Sequence, residues 1–227
     1  MRPDVASRIA AIGDAVSPET LEASRAVYAD AHEEPPYEGV VLTRDAAYGP
    51  HERHRLDLFA APGSSDRPVL VFVHGGGFVR GDKSTPGTPH NENVGLWACR
   101  SGMVGVTMNY RLAPEHRWPA GAQDVASAVA WLRANVAEHG GDPERIVLVG
   151  SSAGATHIAS YAALPELHPD GEPVVRVEVK HLGEVIVARC VHDVGHAILA
   201  VVERREGERR LTVRDRRIVL GHRHQHG

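Results

Sequence analysis

Residues 145–154 read RIVLVGSSAG, a short apolar run that ends in two glycines enclosing a serine. The apolar run predicts a strand buried on both faces, and the small residues that follow, 155–164, predict a helix. Glycines leave room for a strand-to-helix turn sharp enough to present the hydroxyl of Ser152, as in a nucleophile elbow. At this point a serine that only caps the following helix remains the alternative.

A second glycine motif, HGGGF at residues 74–78, follows the apolar run Val69–Val73. The backbone N–H groups of Gly75 and Gly76 can bind a developing negative oxygen, and the N–H of Ala153 at the start of the elbow helix is a third donor. Ligand sites of open α/β sheets gather at the carboxyl ends of strands, where both motifs fall. His74 itself is expected to orient the loop by hydrogen bonding rather than to act as a base.

Strands and helices alternate along the middle of the chain, which predicts an α/β fold with a mostly parallel sheet and helices on both faces. An antiparallel pair of short strands precedes this pattern. The predicted strands are 39–44, 54–59, 69–73, 103–109 and 145–149, and the predicted helices are 92–100, 120–138 and 155–164.

Three segments differ in character. For residues 1–35 the sequence predicts a helical cap segment with Ser17 as the N-cap of its second helix. For residues 36–168 it predicts the α/β core. Residues 169–227 are an atypical C-terminal segment with short strands. From residue 172 onward this segment has 11 basic and 8 acidic residues, whereas the chain as a whole has 25 and 29.

The overall charge of −4 excludes a general basic field for nucleic acid or anionic lipid. No stretch reaches the roughly 18 consecutive apolar residues of a membrane span, and the N-terminus lacks the pattern of a signal peptide. The sequence therefore predicts a cytoplasmic protein. Cys99 and Cys190 match no metal-ligand spacing and are predicted to be reduced packing residues.

Four motifs together resemble the α/β-hydrolase fold and, within it, the hormone-sensitive-lipase-like carboxylesterases. They are HGGGF at 74–78, YRLAPEH at 110–116, GDPERI at 141–146 and GSSAG at 150–154, and the likeness covers residues 35–164. The resemblance implies hydrolysis of short-chain, small-molecule esters through an acyl-enzyme, with no metal or organic cofactor. Ser152 would be the nucleophile, and the amides of Gly75, Gly76 and Ala153 would form the oxyanion hole.

Four charged residues also match positions that look architectural in the family, and we do not predict that they are catalytic. They are Arg111, Glu115, Asp124 and Asp142.

The region after the elbow departs from the family. In these esterases the catalytic acid lies roughly a hundred residues beyond the serine and the histidine follows further on, in the order Ser, Asp, His. Only 75 residues follow Ser152 here. The usual positions are absent, so we expect a truncated hydrolase sheet.

The C-terminal segment still offers substitutes, because an imidazole must take the serine proton and a carboxylate must orient the imidazole. Asp193 as acid and His196 as base preserve the order of the family. The other candidates are His192, Asp215, His222, His224 and His226. His192 and His196 would share one helical face and could bind a metal ion, but without a third ligand we predict no metal site.

Two main hypotheses follow: an active serine carboxylesterase, or a hydrolase remnant that lacks its acid and histidine and at most binds a small molecule. A third, weaker hypothesis takes the basic C-terminal segment as an interaction module. In each case the truncated sheet would leave one edge of the elbow strand unpaired. We predict that Val174–Val179 or Ala197–Val202 covers this edge, or that two copies of the chain associate through it.

Overall fold

A computed structural model describes residues 3–13, 17–28, 32–86 and 88–168, and the backbone of six short strands between residues 180 and 219. Within these ranges no helix is long and apolar enough to cross a membrane.

Residues 1–38 and 86–89 form one compact unit. It holds helices α1 (Pro3–Ile12) and α2 (Pro18–Tyr28), which are joined by a hydrogen bond from the Arg8 guanidinium to the carbonyl of Ala26 at 3.0 Å. Ser17 caps α2 as predicted: its Oγ accepts from the Thr20 N–H at 3.2 Å, and Thr20 Oγ1 accepts from the Ser17 N–H at 2.9 Å.

Residues 39–85 and 90–227 form the second unit, which contains the sheet. Its first five strands are β1 (Val41–Ala47), β2 (Arg55–Ala60), β3 (Arg67–Val73), β4 (Val104–Met108) and β5 (Gly141–Ser151), and its helices are α3 (Glu92–Arg100), α4 (Ala120–Asn135) and α5 (Ala153–Ala163). These strands lie in the order β1-β2-β4-β3-β5, with β3 parallel to both β4 and β5 and with antiparallel pairs at β1–β2 and β2–β4. This confirms the predicted α/β sheet with an antiparallel start.

Alternate residues of β3 enter two cores, one on each face of the sheet. Val69, Val71 and Val73 pack with the apolar side chains of α4 and α5, whereas Leu70 and Phe72 pack with those of α3. Because both faces are covered by helices, residues 69–73 of the strand are all apolar, as the sequence predicts.

Strand register aligns the carboxyl ends of the three parallel strands. Val73 of β3 lies opposite Met108 of β4 and also opposite Gly150 of β5. The segments that follow these strands therefore leave the sheet from one edge, and this edge carries both glycine motifs.

The C-terminal segment adds two strands beyond β5. Strand β7 (Val185–Arg189) pairs antiparallel with β5, and β6 (Lys180–Leu182) pairs with β7. The prediction that this segment covers the edge is confirmed, and the covering strand is Val185–Arg189 rather than either of the two predicted segments. Of those two, Val174–Val179 and residues 197–201 lie outside the described residues. An inner strand favours a continuous apolar run, and Val-Ile-Val-Ala at 185–188 provides one.

The remaining strands form two small antiparallel pairs apart from this sheet. One pair is β8 (Val202–Glu203) with β9 (Arg209–Arg210), and the other is β10 (Thr212–Arg214) with β11 (Arg217–Val219).

Candidate active site

The serine elbow (residues 150–154) joins β5 to α5 and places Ser152 in a conformation that L-residues rarely adopt. Its φ is 49° and its ψ is −116°. Such backbone strain persists where the surrounding structure enforces it, commonly at functional sites. Ser152 is exposed and its side chain makes no capping hydrogen bond to α5. The helix-capping alternative is therefore wrong.

Two glycines of the serine elbow are required by close backbone contacts. A Cβ at Gly150 would lie 2.5 Å from the nitrogen of Ala155. A Cβ at Gly154 would collide with the carbonyl oxygen of Val73 and lie 2.6 Å from that of His74. Gly154 thus allows the start of α5 to approach the end of β3, where the HGGGF loop (residues 74–78) begins.

The HGGGF loop lies against the serine elbow. A Cβ on Gly75 would be 3.4 Å from the Cβ of Ser152, so the two backbones are neighbours. Positive φ angles at Gly76 (133°), Gly77 (61°) and Phe78 (70°) turn the loop sharply. The fold thus brings Ser152, Gly75, Gly76 and Ala153 to one edge of the sheet.

The start of the HGGGF loop is held by buried side chains. The hydroxyl of Tyr110 donates to the carbonyl of His74 at 3.0 Å, and the His74 Nδ1–H donates to the carbonyl of Gly75 at 2.7 Å. The two rings stack with centroids 4.3 Å apart. Burial lowers the pKa of His74 to about 4, so the ring is neutral at pH 7. His74 orients the loop, as expected from the sequence.

The far end of the loop is held by longer-range contacts. The N–H of Ala113 donates to the carbonyl of Phe78 at 2.9 Å. The Arg53 guanidinium donates to the carbonyls of Tyr110 at 2.7 Å and Gly81 at 2.9 Å. Arg53 is not predicted from the sequence, because no local pattern marks it.

A buried carboxylate organises the segment after β4. Asp124 accepts from the backbone N–H of Arg111 at 2.7 Å and from its guanidinium at 2.7 Å. The His54 Nε2–H donates to the same carboxylate at 3.1 Å, and His54 Nδ1 accepts from the N–H of His51 at 3.3 Å. Burial is the main reason that the pKa of His54 is lowered.

This pairing agrees with the architectural roles expected for Arg111 and Asp124, and it leaves neither nitrogen of His54 free to act as a base. Asp142 likewise pairs with Arg145 Nε at 2.5 Å, and Glu115 is exposed.

One buried histidine was missed by the sequence analysis. His157 of α5 is 4% exposed and lies between the rings of Phe78 and Tyr110. A signal did exist, since it is the one histidine in a helix made mostly of small and apolar residues.

The predicted acid Asp193 and base His196 lie outside the described residues, as do the alternatives His192, Asp215, His222, His224 and His226. Within the part of the chain that the structure describes, no cluster of three or more His, Cys, Asp or Glu side chains could hold a metal ion.

A mixed α/β sheet with a serine elbow after β5 and a glycine loop after β3 defines the class of α/β-hydrolases. A model of the BD-FAE family matches residues 56–222, and the chain belongs to this family. The resemblance to the hormone-sensitive-lipase-like carboxylesterases is thereby confirmed.

Several characterised proteins are similar to this chain. Esterase LipQ of Mycobacterium tuberculosis is 37% identical over 135 residues, which are 58% of this chain and 31% of that protein. A hyperthermophilic esterase from the archaeon Pyrobaculum calidifontis matches with a TM-score of 0.50 at 32% identity. The match covers 62% of this chain and 44% of the chain of that esterase.

Esterase B from Lactobacillus rhamnosis has a TM-score of 0.54 at 23% identity over 74% of this chain and 53% of its own, a likeness that concerns the fold alone. The chain thus spans about a third of the curated relative's length and about half that of the solved structures.

Proposed function

We propose that the chain is a serine hydrolase that cleaves short-chain carboxylic esters through an acyl-enzyme on Ser152. The observation that carries this proposal is the strained, exposed Ser152 with Gly75 of the HGGGF loop beside it. Similarity to proteins named as esterases supports ester hydrolysis and gives no support to the non-catalytic alternative.

The reaction would proceed in two halves. Ser152 Oγ attacks the ester carbonyl carbon while its proton passes to an imidazole, and the carbonyl oxygen becomes an oxyanion. The N–H groups of Gly75, Gly76 and Ala153 would stabilise this oxyanion. The alkoxide then leaves with the proton from the imidazolium, and water, activated by the same imidazole, hydrolyses the acyl-enzyme.

We propose His196 as the base and Asp193 as the acid that orients it. The Ser, Asp, His order supports this pair. His54 and His74 are poorer candidates, because hydrogen bonds occupy both ring nitrogens of His54 and Nδ1 of His74. Burial also lowers the pKa of each ring. His196→Ala should lower kcat at least about 100-fold, whereas His192→Ala, four positions away, should leave it unchanged. Equal losses in both variants would contradict this assignment.

The direct test is turnover of p-nitrophenyl acetate and butyrate by the purified chain. Ser152→Ala should lower kcat by about a thousandfold or more, because the nucleophile is removed. Ser127→Ala is the matched control, since Ser127 is exposed on α4 and its hydroxyl only donates to the carbonyl of Gln123. Wild-type turnover that persists in Ser152→Ala would refute the proposal.

The short-chain preference rests on the family resemblance. Comparing kcat/KM for p-nitrophenyl butyrate and dodecanoate tests it, and a higher value for the dodecanoate would contradict it.

We also propose a cap role for residues 1–35, a cytoplasmic location, and association of two copies of the chain through a sheet edge. Because β7 occupies the edge of β5, a second copy could pair there only by displacing it. Size-exclusion chromatography with light scattering measures the association.

A further inference from the structure

His157 is a buried ionisable side chain that the proposed reaction does not use. Among the residues that the structure describes, neither of its ring nitrogens, both buried, has a hydrogen-bond partner. Burial lowers the pKa of the imidazole, with the carboxylate of Asp124 opposing the shift, so the ring is neutral at pH 7. Unpaired buried polar atoms cost stability, and each such group calls for an explanation.

The position of His157 links the two elements that supply the oxyanion donors. It follows Ala153 by four residues on α5, so both lie on the same helix face. Its ring meets the ring of Phe78 edge to face, with centroids 5.3 Å apart. Phe78 ends the HGGGF loop, which carries the other two donors.

The space around the ring is closed on its remaining sides. The ring of Tyr110, which also supports the start of the loop, lies 4.6 Å away between centroids. On the α4 side, a Cβ at Gly121 would lie 2.5 Å from both ring nitrogens of His157. The imidazole of this α5 residue is therefore packed against both α4 and the HGGGF loop.

We propose that His157 is a positioning residue that sets the separation between the N–H of Ala153 and the HGGGF loop, so that the donors converge on one oxyanion. This inference rests on the proposed function. Donors from separate elements work together only if their spacing is fixed, and a misplacement of about 1 Å can cost on the order of 100-fold in rate.

Variants of His157 with smaller or similar side chains test this role, because a positioning residue should affect kcat much more than KM. His157→Ala should lower kcat about 10- to 100-fold for p-nitrophenyl butyrate with little change in KM, because the donors act mainly on the transition state. His157→Leu, of similar volume, should restore kcat to within about fivefold of wild type. His139→Ala, beyond the opposite end of α4, is the matched control and should leave both constants unchanged.

Gly121→Ala provides an independent approach, because its methyl group would occupy the space of the His157 ring while alanine favours the helix. Alone, Gly121→Ala should lower kcat about tenfold. Combined with His157→Ala it should cost less than the product of the two single effects, since the methyl group then fills the vacated space. Independent effects that simply multiply would overturn the proposal.

The outcomes separate this inference from the proposed function. A folded wild type without turnover refutes both. An active wild type whose kcat is unchanged in His157→Ala refutes the positioning role alone. If His157→Leu is as slow as His157→Ala, the nitrogens rather than the packing of the ring matter, and the proposal is also wrong. If His157→Ala does not fold, His157→Leu and Gly121→Ala decide the question.

Discussion

The serine elbow and the HGGGF loop meet at one edge of the sheet, but they are held in different ways. The elbow is fixed by close backbone contacts: Gly150 lies against Ala155, and Gly154 lies against the end of β3. The loop is fixed by side chains from elsewhere, such as Tyr110, which lies 36 positions beyond the carbonyl that it holds. Substitutions in the elbow should therefore have large effects on stability, whereas substitutions around the loop should have smaller, graded effects on stability and kcat.

The largest expected effect is at the elbow. Gly154→Ala would place a methyl group against two backbone carbonyls of the β3 end, which cannot move aside as a side chain can. We expect urea denaturation to show a loss of about 3 kcal/mol or more in the free energy of unfolding. Thr156→Ala, an exposed change on the same helix, should alter it little. A well-folded Gly154→Ala of wild-type stability would contradict backbone control of the elbow.

A smaller effect is expected at the carboxylate that fixes the segment after β4. Asp124→Asn removes the buried charge that pairs with Arg111, and because Arg111 is partly exposed we expect a loss of about 2–3 kcal/mol. Asp142→Asn makes the same change in the more exposed pair with Arg145 and should cost about 0.5 kcal/mol. Equal losses by urea denaturation would show that burial of Asp124 does not matter.

Acid should weaken the loop through His74. Its pKa is about 4 in the folded state against an ordinary value of 6.5, so between these values the unfolded chain binds more protons and stability falls as the pH falls. Between pH 7 and pH 5 the difference in proton binding at His74 should lower the free energy of unfolding by about 2 kcal/mol. His74→Asn, which can retain a donor to the carbonyl of Gly75, should reduce the loss by that amount. An unchanged pH dependence in urea titrations would assign it to other groups.

The smallest effect is expected from the loss of one hydroxyl group, tested at two matched tyrosines. Tyr110→Phe removes the bond to the carbonyl of His74, and Tyr48→Phe removes a bond to the carbonyl of Asn109 outside the loop. Each should cost about 1 kcal/mol of stability. Only Tyr110→Phe should also lower kcat for p-nitrophenyl butyrate, by a few-fold. Equal kcat in both variants would mean that the hydroxyl does not position the loop.

The same contrast explains what could be predicted from sequence. Helix 92–100 and the strand-to-helix turn at 150–154 agree with the sequence prediction, because apolar periodicity and glycine spacing are local signals. Two residues around the HGGGF loop, Arg53 and His157, are not predicted. Although a lone histidine stands out on α5, its ring contacts and those of Arg53 join distant segments, which a single sequence does not display. The strand that covers β5 is Val185–Arg189 and not a segment that the sequence predicts for this place. Alternation and a continuous apolar run both indicate a strand, and only topology decides which one becomes an inner strand.

The most direct test of the account is to treat the purified chain with a fluorophosphonate and to map the adduct by intact-mass and peptide mass spectrometry. We predict one adduct per chain, located on Ser152 and absent from the Ser152→Ala variant, with Ser127→Ala labelled like the wild type. A folded chain without an adduct, or an adduct on another residue that persists in Ser152→Ala, would contradict the assignment of Ser152 as the nucleophile.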